Sequence, residues 1–143
     1  MKEKNIEIRW ANANDAEDLL KLNEAFNGVG TSIEEVKDSL ALSDELIALA
    51  VICGQAVGFA CAQYFKSLCY RGLHGEITEM YITEVARRRG LATLLIAFIE
   101  DELRARGVTS VKILTGQRNE MAIQTYEKSN YARTEEVLLQ KKL

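Results

Sequence analysis

The chain has 143 residues, 48% of them hydrophobic, with 18 Lys and Arg against 21 Asp and Glu and a formal charge of -3; this suffices for one continuous core, so residues 1–143 read as a single domain. A net acidic chain without clustered positive charge is a poor match for a phosphate backbone or an anionic bilayer surface, which excludes nucleic acid and membrane as general partners. Met1 to Asn5 are charged and not followed by an apolar run, and no stretch approaches the roughly 20 apolar residues that span a bilayer, so a cytoplasmic location is expected.

In chain order, Ile6 to Ala11 alternate apolar and polar residues and predict a strand. Asn14 followed by Glu17 predicts a helix cap, with Leu19, Leu22 and Phe26 at helical spacing until Asn27-Gly28 stops them. Gly28-Val29-Gly30-Thr31 reads as a flexible connector. Ser32 and Glu35 form a capping-box pattern ahead of the stripe Ile33, Val36 and Leu40. Two apolar runs, Glu45 to Ile52 and Ala56 to Phe65, are separated by Cys53-Gly54-Gln55 and predict a hairpin. A loop over Ser67 to Gly75 then leads to a strand at Glu76 to Thr83.

From Gly90 to Arg106, the residues Leu91, Leu94, Leu95, Phe98, Ile99 and Leu103 carry a strong helical period closed by Gly107. Val111 to Leu114 reads as a short, fully buried strand. A helix near Glu120 to Ser129 and a last strand within Arg133 to Lys141 complete the order β-α-α-β-β-β-α-β-α-β. A meander followed by a helical crossover implies an α/β (α+β) domain with a mixed sheet and helices on both faces. The order of elements has no internal repeat.

The segment Glu76 to Tyr131 carries the chemistry. A strand runs into Arg87-Arg88-Arg89-Gly90-Leu91-Ala92, where a helix begins. Its first N–H groups lack intrahelical acceptors, and such an end binds anions, typically a phosphate. Three arginines there suit a small polyphosphate better than a duplex. Downstream lies Asn119-x-x-Ala122-x-x-x-Tyr126-x-Lys128-x-Asn130-Tyr131. The Arg-x-x-Gly-x-Ala spacing together with this second motif resembles the GNAT superfamily of acyl-CoA-dependent N-acyltransferases, closely over the C-terminal half and by order of elements over the rest.

The resemblance implies a single GNAT-like domain with six to seven strands and about four helices, acetyl-CoA as co-substrate, no metal, and a primary amine of a small molecule or peptide as acceptor. It places the pyrophosphate on Arg87, Arg88, Arg89, Gly90, Leu91, Ala92 and Thr93. The pantetheine arm would lie along Met80, Tyr81 and Ile82, on a strand that in the family carries a bulge. The bulge is invisible here, because alternation puts Ile77, Glu79 and Tyr81 on one strand face and Thr78, Met80 and Ile82 on the other. Gly90 and Ala92 are small enough for the backbone to approach an anion closely. In the family, acceptor pockets draw on the first two helices and their connector, here about Phe26 to Thr31.

Asn119 either contacts the cofactor or caps the last helix. Asn130 stands where the family usually has glycine and tolerates the same left-handed turn. Glu79 matches an acidic family position and is the expected general base, with a pKa raised by burial. Glu76 is a second acidic candidate, acting through water, or a polar residue at a strand start. Tyr126, two turns after Asn119, is the expected acid for the departing thiolate; the other reading is a packed aromatic. His74, the only histidine, reads as an exposed loop residue.

Cys53, Cys61 and Cys69 show no Cys-x-x-Cys spacing and read as free, buried thiols. No Ser-His-Asp or Cys-His pattern occurs, which favours direct transfer in a ternary complex over an acyl-enzyme. A CoA-binding regulatory module without turnover is the alternative from another class. The sequence leaves homodimerisation open.

Overall fold

A computed structural model describes residues 5–28 and 30–143. Its strands are β1 (Ile6–Trp10), β2 (Leu46–Ile52), β3 (Gln55–Lys66), β4 (Leu73–Ile82) and β5 (Val108–Ile113). Its helices are α1 (Ala16–Asn27), α2 (Ile33–Leu42), α3 (Leu91–Ala105) and α4 (Glu120–Lys128), with short 3-10 turns at Ala13–Asp15 and Glu84–Ala86. Val29 of the expected connector and Met1 to Lys4 lie outside the described residues.

The strands form one sheet in the order β1-β2-β3-β4-β5. The first four run antiparallel, and β5 joins β4 in parallel through α3, as a helical crossover requires. On one face, α3 buries Leu91, Leu95, Ile96, Ile99 and Leu103 against Ala48, Ala60, Ile77 and Ile82. On the other, α1 and α2 cover Leu49, Val51, Phe59 and Cys61 with Leu19, Leu22, Val36 and Leu40. Alanines on β2 and β3 let α3 lie close to the sheet, and the long apolar residues of α3 fill the space.

Several expectations need correction. The sheet has five strands rather than six to seven, because the last strand expected within Arg133 to Lys141 does not form. That segment makes no ladder pairing with any strand of the sheet, and an extended segment becomes a strand only by pairing. β4 begins at Leu73 and takes in part of the expected loop. β5 begins at Val108, and Thr109, Ser110 and Lys112 on it are exposed, so it is half-buried at the sheet edge rather than enclosed.

The first helical cap is Asn12, not Asn14. Its side chain accepts from the Asn14 N–H at 2.9 Å, and Asp15 returns the bond by accepting from the Asn12 N–H at 2.7 Å. Asp15 is buried and also receives both guanidinium nitrogens of Arg9 on β1, at 2.8 and 2.9 Å. This bidentate pair welds the start of α1 to the sheet. The Ser32–Glu35 capping box forms as expected, with Ser32 N–H donating to Glu35 at 2.8 Å and Glu35 N–H to Ser32 at 3.2 Å.

The hydrogen bonds from Arg9 hold the Asp15 carboxyl below its ordinary range. A depressed carboxylate pKa contributes stability that is present above the unfolded value, about 3.9, and lost as pH falls through the lower folded value. Asp15→Asn is therefore expected to cost about 1–3 kcal/mol at pH 7, with the gap to wild type closing below about pH 4. Urea denaturation at a series of pH values checks this; a gap that does not change with pH would assign the loss to the cap alone.

Candidate active site

The site begins with one irregularity. In the β3–β4 ladder Cys61 faces Glu79 but Ala62 faces Ile77, so Thr78 is an extra residue on β4. This is a β-bulge, and the Thr78 hydroxyl donates to the Cys61 carbonyl at 3.3 Å. The bulge overturns the regular alternation expected from the sequence. Ile77 and Ile82 are buried under α3 with Met80 partly buried beside them, while Tyr81 packs on the opposite face with α1 and α2. Glu79, two residues before Tyr81, shares that face, and so does Glu76, which strict alternation would have placed opposite Glu79.

The parallel pairing of β4 with β5 stops at Ile77–Ile113, one residue before the bulge. Thr78 to Ile82 thus keep β3 on one side and have no strand on the other. Thr83 N–H donates to Val57 at 2.8 Å, so ladder alternation turns the backbone groups of Glu79 and Tyr81 toward β3. The N–H groups of Met80 and Ile82 consequently lie on the open edge. On β3, Gly58 permits this course, since an added Cβ would stand 2.7 Å from the Tyr81 carbonyl oxygen.

Beyond β4 the chain turns through Glu84–Ala86 to Gly90, the N-cap of α3. Arg88 (φ 68°) and Gly90 (φ 78°) are both left-handed. The first helical bond runs from Leu94 N–H to the Gly90 carbonyl at 3.1 Å, which leaves the N–H groups of Leu91, Ala92 and Thr93 without intrahelical partners. A Cβ on Gly90 would meet nothing within 4 Å, so its left-handed conformation, more than crowding, requires glycine there. The Leu91 side chain is buried and anchors the turn, while Arg88, Arg89 and Thr93 are exposed. Arg87 is engaged by the protein: its Nε donates to the Ile82 carbonyl at 2.8 Å, and its guanidinium lies 5.7 Å from the Tyr81 ring centroid.

Burial raises the Glu79 carboxyl above its ordinary pKa, and the negative charge of Glu45 adds to the effect. Sequence reasoning missed Glu45. It immediately precedes β2, and only the pairing of β2 with β3 and of β3 with β4 brings it near Glu79, so no local pattern announces it. Cys61 lies between them in the sheet; burial and the same two carboxylates push its thiol well up. The thiol is therefore held protonated, an unfavourable state for a nucleophile. Of the three free cysteines only Cys61 is buried, while Cys53 and Cys69 are exposed, which corrects the expectation that all three fill the interior.

Tyr126 packs against the α3-side core, and burial raises its phenol pKa, keeping it protonated near neutral pH. Tyr126 lies on the α3 face of the sheet, opposite the face of Glu79, and the β4–β5 pairing ends between them at Ile77–Ile113. The neighbouring Tyr131 is committed elsewhere, donating to Glu100 on α3 at 2.6 Å. Asn119 caps α4 by accepting from the Ala122 N–H at 3.2 Å, and Asn130 is left-handed at φ 72°. Phe26, which ends the apolar stripe of α1 and begins the expected acceptor region, is 38% exposed and stacks on Tyr81 at 5.2 Å. His74 is a half-buried residue of β4, not an exposed loop residue, and is flanked by the Phe65 and Tyr70 rings at 5.6 and 4.9 Å.

Among the described residues, no cluster of three or more His, Cys, Asp or Glu is arranged to hold a metal, and no helix is long and apolar enough to cross a membrane. A bulged strand with an open edge, followed by an anion-binding turn into a helix, fits a ligand that joins a peptide-like arm to a pyrophosphate.

Residues 16–131 match the acetyltransferase (GNAT) family. An acetyltransferase of Photorhabdus laumondii is 27% identical over 96% of both chains. In three dimensions the chain is similar to an aminoglycoside acetyltransferase from an uncultured soil metagenomic sample, solved with sisomicin (TM-score 0.88, 15% identity, 100% and 99% of the two chains). It is also similar to the aminoglycoside N-acetyltransferase AAC(6')-Iy solved with CoA (TM-score 0.82, 20% identity, 96% and 94% of the two chains). At these identities the solved structures establish the shared fold. The chain belongs to the GNAT family and is an acetyltransferase.

The burial of the thiols sets their reactivity. A maleimide at neutral pH is expected to label Cys53 and Cys69 rapidly and Cys61 only after denaturation. Peptide mass spectrometry of the labelled protein distinguishes the three sites; fast labelling of Cys61 in the folded protein would contradict its assignment as a protonated core residue.

Proposed function

We propose that this enzyme transfers an acetyl group from acetyl-CoA to a primary amine of a small molecule or peptide, by direct attack in a ternary complex. The observation that carries this reading is the open edge of β4 beyond Thr78, running directly toward the N-terminus of α3. The N–H groups of Leu91, Ala92 and Thr93, with the guanidinium groups of Arg88 and Arg89, hold the pyrophosphate. Arg87 acts from behind, fixing the end of β4 through the Ile82 carbonyl. The N–H groups of Met80 and Ile82 bond the pantetheine amides as an added strand would, and one of them polarises the thioester carbonyl. Asn119 contributes its amide nitrogen to the same arm while its oxygen caps α4.

Glu79 accepts a proton from the ammonium form of the acceptor, and its raised pKa brings it closer to the operating pH than an ordinary carboxylate. The amine nitrogen then forms a bond to the carbonyl carbon as the carbon–sulfur bond breaks, and it gives up its second proton to solvent. Tyr126 gives its proton to the departing sulfur, and solvent returns one to it. Glu76, on the same face as Glu79, extends the acidic surface toward the acceptor or acts as a relay through water. Phe26 and Tyr81 form an apolar wall beside these carboxylates. A cationic amine with an apolar or sugar-like face suits that combination, in keeping with the aminoglycosides named for the structural neighbours.

Two measurements test this reading. Saturating acetyl-CoA is expected to raise the melting temperature through preferential binding to the folded state, and Gly90→Asp is expected to abolish the shift by setting an anion at the phosphate position. A shift that survives in Gly90→Asp would place the cofactor elsewhere.

With any accepted amine, Tyr126→Phe is expected to lower kcat by roughly ten- to ten-thousand-fold with cofactor affinity preserved. Glu79→Gln is expected to lose most where the amine is protonated, so that its defect shrinks as pH rises toward the amine pKa. Wild-type rates in Tyr126→Phe would leave that ring a packing residue, and a pH-independent loss in Glu79→Gln would move the base to Glu76 or a water chain. Acetyl-CoA binding without thiol release across a panel of amines and peptides would support the regulatory module instead.

A further inference from the structure

Away from the open edge of β4, a cavity of about 210 Å³ lies between the end of β1, the start of β2, α2 and the end of α3. Its apolar lining includes Trp10, Leu40 and Ile47, and its charged lining is Glu45, Glu102 and Arg106. The charges there do not balance. Arg106 is committed to its neighbours: Nε donates to the Glu102 carboxylate at 2.6 Å, and the guanidinium donates to the Tyr64 hydroxyl at 2.8 Å. Glu45 is half-buried and, among the described residues, forms no ion pair. Its charge instead meets that of Glu79 across β3. A neighbouring polar pocket shares Glu45 and adds Asp44, so no compensating positive charge comes from that side either. A partly desolvated carboxylate facing like charge is unfavourable unless a cation answers it.

We propose that this cavity binds a small organic cation, its ammonium group at Glu45 and an aromatic body against Trp10, Leu40 and Ile47. Charge and lining agree on that class. A carboxylate supplies the counter-charge, and an indole ring attracts a cation through the negative face of its π system. The aliphatic side chains suit the apolar remainder, and the volume holds about one ring with its ammonium arm. An inorganic cation is a poorer match. The apolar side chains offer it no ligand, and among the described residues no group of three or more His, Cys, Asp or Glu is arranged around one. The cavity is also distinct from the cofactor edge. β1 stands three strands from β4, about 14 Å at roughly 4.8 Å per strand. A cation held beside Trp10 therefore does not present its nitrogen to a thioester on β4, and the cavity is a second binding site.

Trp10 is the only tryptophan of the chain, so its fluorescence reports on this cavity. The full chain, without acetyl-CoA, is titrated with benzyltrimethylammonium, a quaternary cation with no N–H to acetylate. A saturable change in Trp10 emission is expected with a Kd of roughly 0.1–5 mM, the range open to a ligand of this size. Benzyl alcohol and phenylacetate keep the ring and change the charge, and are expected to bind at least about tenfold more weakly. Glu45→Gln is expected to lower affinity for the cation by at least about tenfold while leaving benzyl alcohol binding unchanged. Leu40→Phe fills the cavity with its charges untouched, is expected to weaken binding as well, and serves if Glu45→Gln disturbs the fold. No saturable change up to about 20 mM, equal binding of the neutral or anionic analogue, or an affinity unchanged in both variants would each overturn the proposal.

Discussion

One additional residue in β4 organises the active site. With Thr78 outside the ladder, the half of β4 before it stays in register with β5 and the half after it does not. The bulge therefore creates an edge with free N–H groups in the middle of a sheet, where backbone groups are otherwise paired. It also reverses side-chain parity. Glu76 and Glu79 come to face the same side, while Met80 and Ile82 return to the α3 core and hold the strand down. The same local distortion thus produces the open edge of β4 and gathers Glu76 and Glu79 on one face.

The turn into α3 is coupled to that edge through Arg87. Its guanidinium spans the Ile82 carbonyl and the Tyr81 ring, and Tyr81 is in turn stacked by Phe26 from α1. The turn into α3, the open edge of β4 and the end of α1 are therefore mechanically linked by three side chains. The left-handed residues at Arg88 and Gly90 aim the helix start, and the buried Leu91 anchors it. A site built this way is preorganised by packing: its N–H groups have fixed directions before any ligand arrives.

Charge in the site is likewise set by neighbours distant in sequence. Glu79 lies on the exposed side of β4, and its pKa is raised because the surrounding protein partly desolvates its carboxyl and because Glu45, brought alongside through β3, opposes its ionisation. The same pair keeps the Cys61 thiol protonated. The raised Glu79 pKa makes that carboxylate a better proton acceptor near neutrality, and the protonated thiol leaves the intervening cysteine a core residue with no chemistry of its own.

The helices, the hairpin and the turn into α3 were legible in the sequence because each rests on local physics: apolar residues at a period of 3.6 or 2, a capping box at Ser32 and Glu35, and an arginine-rich turn ending in glycine before α3. Other features were set only by the tertiary structure. The bulge depends on how β3 and β4 register, which no window of β4 alone contains. The role of Glu45 depends on strand order, and the commitment of Arg87 to Ile82 depends on where β4 ends. The expected final strand shows the same principle from the other side. Val137 to Leu139 have the residues of a strand, but a strand is completed by a neighbour, and here they pair with none. Sequence determined which segments were able to become helix or strand; the packing of those segments decided which backbone groups stayed unpaired, and the candidate active site is built from those groups.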